Sequence, residues 1–396
     1  MLSAAIVLAA LMAACIQWLP AVRASRLWRA TVTPLASIIG SGFLILGPVM
    51  SASFGAWAPA AMLALCALAW AFGWAIRYNI CAREADARQM PGRLERAASW
   101  SLAFSYIISV TYYLNLLGAF GVRLTPYDDQ VPARVLTTAV FVLIMSIGWW
   151  RGFRALENLE RVSVGLKLSI IAGLLVGLAI VFGERSGGGT LMFSAPKETG
   201  WSAVTLLFGL IVTVQGFETS RYLGQAYDAG MRIRSMRVAQ GISSLIYVLY
   251  IGLFCYLFSA GDMKVTETAI IDLIGLVAPV LPVLLIAAAL SSQFSAAVAD
   301  TGGSGGLFQE VTGGRLSERR AYLLVGGVGL LLTWTANVFQ IVSYASRAFA
   351  LYYGLQAAIA AVTAWRRAQP LRAVMFCGLA VLGAAITVLG APVEGG

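Results

Sequence analysis

Ser37-Ile38-Ile39-Gly40-Ser41-Gly42-Phe43-Leu44 and, in the second half of the chain, Gln215-Gly216-Phe217-Glu218 interrupt two apolar segments, 35–50 and 204–221, that would otherwise cross a bilayer unbroken. A spanning helix that opens at mid-depth frees N–H and C=O groups. Irregular backbone is tolerated at that depth only where protein or a water-filled cavity encloses it. Two such breaks at corresponding positions of two halves of a chain point to a solute site near the bilayer midplane, between them.

The rest of the sequence supplies the setting. Of 396 residues, 59% are hydrophobic and 12% charged, and the mean hydropathy is +0.81, values outside the range of soluble globular domains. Runs of the length a bilayer requires give twelve candidate spans: 2–20, 31–50, 57–76, 99–121, 133–150, 162–182, 201–218, 238–259, 275–298, 321–337, 339–362 and 371–390. The net charge of +10 does not point to nucleic acid, because the arginines fall in alternate loops. Arg23, Arg26 and Arg29 form the first cluster, and Arg77 to Arg96 the second. Arg151, Arg154 and Arg161 follow, then Arg232, Arg234 and Arg237, then Arg315, Arg319 and Arg320, and finally Arg366, Arg367 and Arg372. These loops are expected to be cytoplasmic and both termini to face outward. Residues 1–20 lack a basic leader and precede a basic loop, so they read as an uncleaved extra span.

Several function classes drop out. There is no histidine, no G-x-x-x-x-G-K-[ST] run, and the five cysteines, Cys15, Cys66, Cys81, Cys255 and Cys377, show no ligand spacing. Proton coupling would therefore fall to carboxylates or a lysine. The longest polar stretch, roughly 77–98, is too short for a soluble domain, which leaves one membrane domain. Its expected parts are 1–30, an extra helix and linker; 31–365, a core made of repeats 31–182 and 201–365; and 366–396, a last helix and tail. With an odd number of spans in each half, the halves must run in opposite orientation.

Within the spans, few residues carry chemistry. At the first break the glycines let backbone N–H groups face a ligand and favour an anionic group, although small residues also serve helix packing. At the second, Glu218 is either structural, as a cap or a partner for Arg221, or a gating acid. Lys167 either snorkels toward the interface with Arg161 or points inward, where it becomes a candidate for protonation changes. The ninth span ends with Ser291, Ser292, Ser295 and Asp300 before Thr301-Gly302-Gly303-Ser304-Gly305-Gly306. Asp300 there reads as an ion ligand or, being near the cytoplasmic end, as a cap. Arg347 needs a carboxylate or backbone carbonyls as partners.

Taken together these stretches resemble the amino acid–polyamine–organocation (APC) transporter superfamily. Ile39-Gly40-Ser41-Gly42-Phe43 is similar to the family's Gly-Ser-Gly-Ile-Phe break, and Phe54-Gly55-Ala56-Trp57-Ala58-Pro59 to the turn after it. Gly216-Phe217-Glu218 with the 232–237 basic stretch is similar to the second break and its exit. Leu166-Lys167-Leu168 resembles the lysine-bearing fifth core helix of sodium-independent members, where the lysine takes the place of a sodium ion between the first and eighth core helices. Val212 departs from the gating aromatic common in amino acid carriers, Gln225 replaces a common acid, and the extra N-terminal span is atypical.

The resemblance implies an all-α polytopic membrane protein with a five-plus-five inverted-repeat, LeuT-like core, discontinuous first and sixth core helices, and about 12 transmembrane helices. It implies a secondary transporter of an amino acid or related small amine or carboxylate in the inner cell membrane, sodium-independent, with protons or exchange as drivers. Substrate-binding positions would be Ile39, Gly40, Ser41, Gly42, Phe43, Val212, Gln215, Gly216 and Phe217. Coupling or gating positions would be Lys167, Glu218, Ser291, Ser292, Ser295 and Asp300. No catalytic residue, metal ligand or cofactor is expected. Partners would be the small-molecule substrate and the lipid bilayer, without nucleic acid, and a homodimer stays open. A transporter-like receptor or accessory subunit, or a carrier of another solute such as a nucleobase, is the alternative reading. A membrane-embedded enzyme is disfavoured for want of a nucleophile or metal set.

Overall fold

The computed structural model describes residues 1–40, 42–86, 90–151, 157–259 and 266–393, apart from the side chains of 151–162 and 225. Among them there is no strand. The first half contains α1 (Leu2–Trp18), α2 (Pro20–Ala24), α3 (Arg26–Ile38), α4 (Gly42–Phe54), α5 (Ala58–Ala85), α6 (Gly92–Val122), α7 (Gln130–Arg151) and α8 (Glu157–Gly187). The second contains α9 (Gly200–Gly209), α10 (Thr219–Tyr222), α11 (Ala229–Phe254), α12 (Ala269–Gly275), α13 (Val280–Val311), α14 (Glu318–Thr335), α15 (Val338–Arg366) and α16 (Pro370–Leu389).

Eight stretches are long and apolar enough to cross a membrane, with α4 and α5 running together as one. The twelve segments expected from hydropathy exceed this number for identifiable reasons. The breaks cut α3 to 13 residues and α9 to 10, α1 has only 17, and α14 opens on Glu318-Arg319-Arg320. The ninth expected span shifts most: α13 runs from Val280 to Val311, well past the predicted end at 298.

Corresponding helices of the two halves touch, α5 with α11, α6 with α13 and α7 with α14. Helix α6 lies at the centre and turns Ser105, Ser109, Thr111 and Asn115 toward protein. In hydrocarbon such groups gain by bonding across helices. Asn115 Nδ2 donates to Thr333 Oγ1 of α14 at 2.8 Å, and Thr137 Oγ1 of α7 donates to the Leu114 carbonyl at 2.9 Å. Small residues bring the outer helices close, since lipid offers no hydrophobic drive for association. A Cβ on Gly383 of α16 would lie 2.6 Å from Gly354 Cα of α15. Helix α1 packs on α8 by pressing the fully buried Ile6 onto Gly173 and Gly177.

Helix starts follow ordinary capping chemistry. Asn337 and Gln340 form a reciprocal capping box at α15, and Asp228 accepts from Met231 N at 2.8 Å at α11. That backbone N–H holds the exposed Asp228 carboxyl below its ordinary range, so it is ionised where the α11 helix begins.

Candidate functional site

Both sequence breaks are backbone breaks. Helix α3 makes its last bond from Ile39 N to the Leu35 carbonyl at 3.0 Å, Ile39 leaves helical geometry at φ −82°, ψ 57°, and α4 restarts at Gly42. Helix α9 stops at Gly209, a 3₁₀ turn covers Ile211–Val214, and Gln215 is extended. Gly216 has φ +116°, a conformation that needs glycine, and α10 follows.

The two breaks mate reciprocally. A Cβ on Gly42 would fall 2.6 Å from Thr213 Cα, and one on Gly216 would fall 2.5 Å from Ser37 Oγ and 2.7 Å from Ile38 N. Each break thus presses a bare glycine against the other's backbone. Side chains from neighbouring helices take up the freed groups, as the absence of water at this depth requires. The Tyr247 hydroxyl of α11 lies 2.8 Å from both the Ile38 and Thr213 carbonyls, and its single proton can serve one of them at a time. Ser346 of α15 donates to the Gly209 carbonyl at 2.7 Å and accepts from Val212 N at 3.1 Å. Sequence reasoning missed both residues, because nothing marks one Tyr or Ser among many in apolar helices.

Glu218 is fully buried. Its Oε2 accepts from its neighbour Gly216 N at 2.9 Å and from the Tyr353 hydroxyl at 2.8 Å, while Oε1 has no hydrogen-bond partner among the described residues. The cap reading of Glu218 therefore describes its contacts, and the pairing with Arg221 does not occur. Arg221 instead grips both oxygens of Glu95, at 2.9 and 2.8 Å, and also bonds Gln356.

Lys167 points inward rather than snorkelling. Its Nζ donates to the Ala36 carbonyl of α3 at 2.8 Å and to Ser292 Oγ of α13 at 3.1 Å, tying those helices together beside the first break. Asp300 is not a cap. It lies within α13, is buried, and accepts from Ser109 of α6. The glycines that follow it continue the helix and allow close approach, Gly303 to Tyr106 and Gly305 to Tyr322. Ser291 and Ser295 donate to Ser163 of α8 at 2.9 and 3.1 Å. Arg347 takes backbone partners, the carbonyls of Gly390 at 3.0 Å and Val388 at 2.9 Å.

The space for a solute is displaced from the residues the sequence singled out. Ile39, Phe43, Val212, Gln215 and Phe217 are sealed in protein contacts, Gly42 and Gly216 are packed as above, and Ser41 lies outside the described residues. Phe43 packs on Tyr250 at 4.3 Å, Phe217 stacks on Tyr353 at 5.0 Å, and Gln215 donates to Tyr113 at 3.0 Å. Gly40, Phe43 and Lys167 share only a void of about 20 Å³, room for roughly one water. About one turn away, a cavity of about 190 Å³ opens among α3, α6, α10 and α13. Thr33, Ala36 and Ser37 line it from α3, and Tyr106 from α6. Thr219, Tyr222 and Leu223 face them, with Ser295, Ala296, Ala299 and Asp300 from α13. The i, i+3, i+4 spacing of these sets was the signal available in the sequence. Asp300 is the one charged residue among these lining residues.

Tyr222 also lines a second, polar recess of about 730 Å³ with Arg83, Glu84, Glu95, Arg221 and Arg232, so it stands between cavity and recess. Its hydroxyl lies 3.2 Å from that of Tyr352. The Arg221–Glu95 pair closes this end with little exposure, at 10% and 17%. Removing one member of a well-desolvated pair leaves the other charge uncompensated, so Glu95→Gln is expected to destabilise the protein by about 3 kcal/mol. Loss of the exposed Arg83 in Arg83→Gln should cost under about 1 kcal/mol. Thermal melting of the purified variants compares the two directly.

A family model described as an APC superfamily transporter matches residues 20–390. A protein of Aquifex aeolicus (strain VF5), described only as an uncharacterized protein, is 40% identical over 385 residues, 95% of this chain and 93% of that protein.

Proposed function

The chain belongs to the APC superfamily of transporters, and from there we propose that it is a secondary active carrier of an amino acid or a related small amine, working by alternating access in the inner cell membrane. The observation that carries this reading is the reciprocal mating of two interrupted helices beside an enclosed cavity. Broken helices seated against each other are hinged elements, and a solute between them sees different surfaces as they rock.

On this reading the two halves form the five-plus-five inverted repeat, each opening with its broken helix, and the shorter helices α1, α3/α4, α9/α10 and α14 complete twelve crossings. The cavity of about 190 Å³ is small beside drug-sized sites and suits a small solute. Asp300 supplies a negative charge for an amine, and Ser37, Thr219 and Tyr222 supply hydroxyls. Lys167 supports sodium-independent transport, because an ammonium already holds α3 to α13 where a cation would be needed. The exit on the arginine-rich side passes Tyr222 and then the Arg221–Glu95 pair.

Uptake of labelled amino acids, amines and nucleobases into liposomes holding the purified protein, with and without a pH gradient, tests the proposal. Saturable uptake of an amino acid or amine is expected, and Ala299→Phe, which fills the cavity, should remove it. Binding without flux would assign the chain to the receptors instead.

A further inference from the structure

On the outer face of the helix bundle, remote from the cavity, a groove of about 880 Å³ runs between α5, α11 and α16. Its walls are two helical stripes: Ala67, Trp70, Trp74 and Arg77 on α5, and Met375, Gly378, Leu379 and Leu382 on α16. From Ala67 to Arg77 is ten residues, so the groove extends about 15 Å along the helix, half the thickness of a hydrocarbon core. Because α5 approaches the arginine-rich side as α16 leaves it, Arg77 and Met375 share the mouth, and Ala67 and Leu382 share the deep end.

The mouth is cationic and the remainder apolar. Arg77 and Arg237 both line it, and their like charges oppose each other. Among the described residues neither has an ion pair; the five ion pairs of the protein lie elsewhere. Arg77 is only 5% exposed and is held in place, bonded to Gln240 and to the Trp70 carbonyl at 3.2 Å, with its guanidinium 5.0 Å from the Trp70 ring. Two fixed positive charges at the top of an apolar channel of this depth call for one anion carrying an apolar tail. Arginine suits a phosphate oxygen pair, and tryptophan favours the interfacial level at which a phosphate lies.

We propose that this groove binds a phospholipid with an anionic headgroup, its phosphate between Arg77 and Arg237 and one acyl chain along Trp70, Leu379 and Leu382. Charge complementarity selects the lipid, and the depth of the apolar channel excludes a headgroup alone.

The full chain in neutral detergent, incubated with equal amounts of dioleoyl phosphatidylglycerol and dioleoyl phosphatidylcholine, gives the test by native mass spectrometry. Phosphatidylglycerol should be retained preferentially. Arg237→Gln, at an exposed position where folding is not at risk, should weaken that retention about fivefold, the effect of one basic residue near an anionic surface. Arg319→Gln, an exposed arginine on α14, should leave it unchanged. A side chain on Gly378 meets open space, so Gly378→Phe fills the groove without altering charge and should also release the lipid. Equal retention of the two lipids, or equal effects of Arg237→Gln and Arg319→Gln, would overturn the proposal. So would displacement of phosphatidylglycerol by inorganic phosphate, or retention unaffected by Gly378→Phe, since either would make this a free-anion site.

Discussion

Gly216→Ala is expected to destabilise the protein by about 3–5 kcal/mol, combining the cost of a strained backbone with that of overpacking. At φ +116° an L-residue is strained whatever room it has, and here there is none. The new methyl would lie 2.5 Å from Ser37 Oγ, 2.6 Å from Ser37 C and 2.7 Å from Ile38 N. Two of these are backbone atoms at the end of α3, so relief requires the two breaks to separate. The same substitution at Gly252 of α11, where nothing lies within 4 Å, serves as the control and should cost only a fraction of that. Melting midpoints of the two variants in one detergent give the comparison; equal midpoints would mean that the breaks do not press together.

Lys167→Met should lower uptake by about tenfold or more, since hydrogen bonds to a charged group are each worth roughly 1.5–3 kcal/mol, while the melting midpoint changes little. The ammonium joins α3 to α13 through the Ala36 carbonyl and Ser292 Oγ. Methionine keeps the length and apolar stem of lysine but removes the donor and the cost of burying its charge, so stability is nearly balanced and the link is lost. Uptake in liposomes beside melting in detergent separates these two consequences. Unchanged uptake would remove Lys167 from the mechanism.

How far these features were legible in the sequence depends on their range. The breaks were plain because glycine and polar residues stand out within apolar runs, and Gly40, Gly42 and Gly216 lie where the backbone opens. The side chains that make the breaks tolerable were not, since Tyr247 lies 209 residues from its partner Ile38 and Ser346 lies 134 from Val212. Asp300 misled for a different reason. A glycine run after an acid resembles a helix end in water, but between membrane helices glycine serves close approach, and α13 continues to Val311. Glu218 and Arg221, three residues apart, read naturally as a pair. Burial instead turned Glu218 to Tyr353 and the Gly216 N–H, and Arg221 to Glu95. The cavity lay one turn from the positions that the glycines marked, lined by hydroxyls and alanines that only the fold brings together.

The most direct test is an experimental structure of the protein with its transported solute bound. The expected density lies against Ser37, Thr219 and Asp300, with α3 and α4 parted at residues 39–41 and α9 and α10 parted at 210–218. A solute bound elsewhere, or either pair of helices running continuously through its break, would contradict the account.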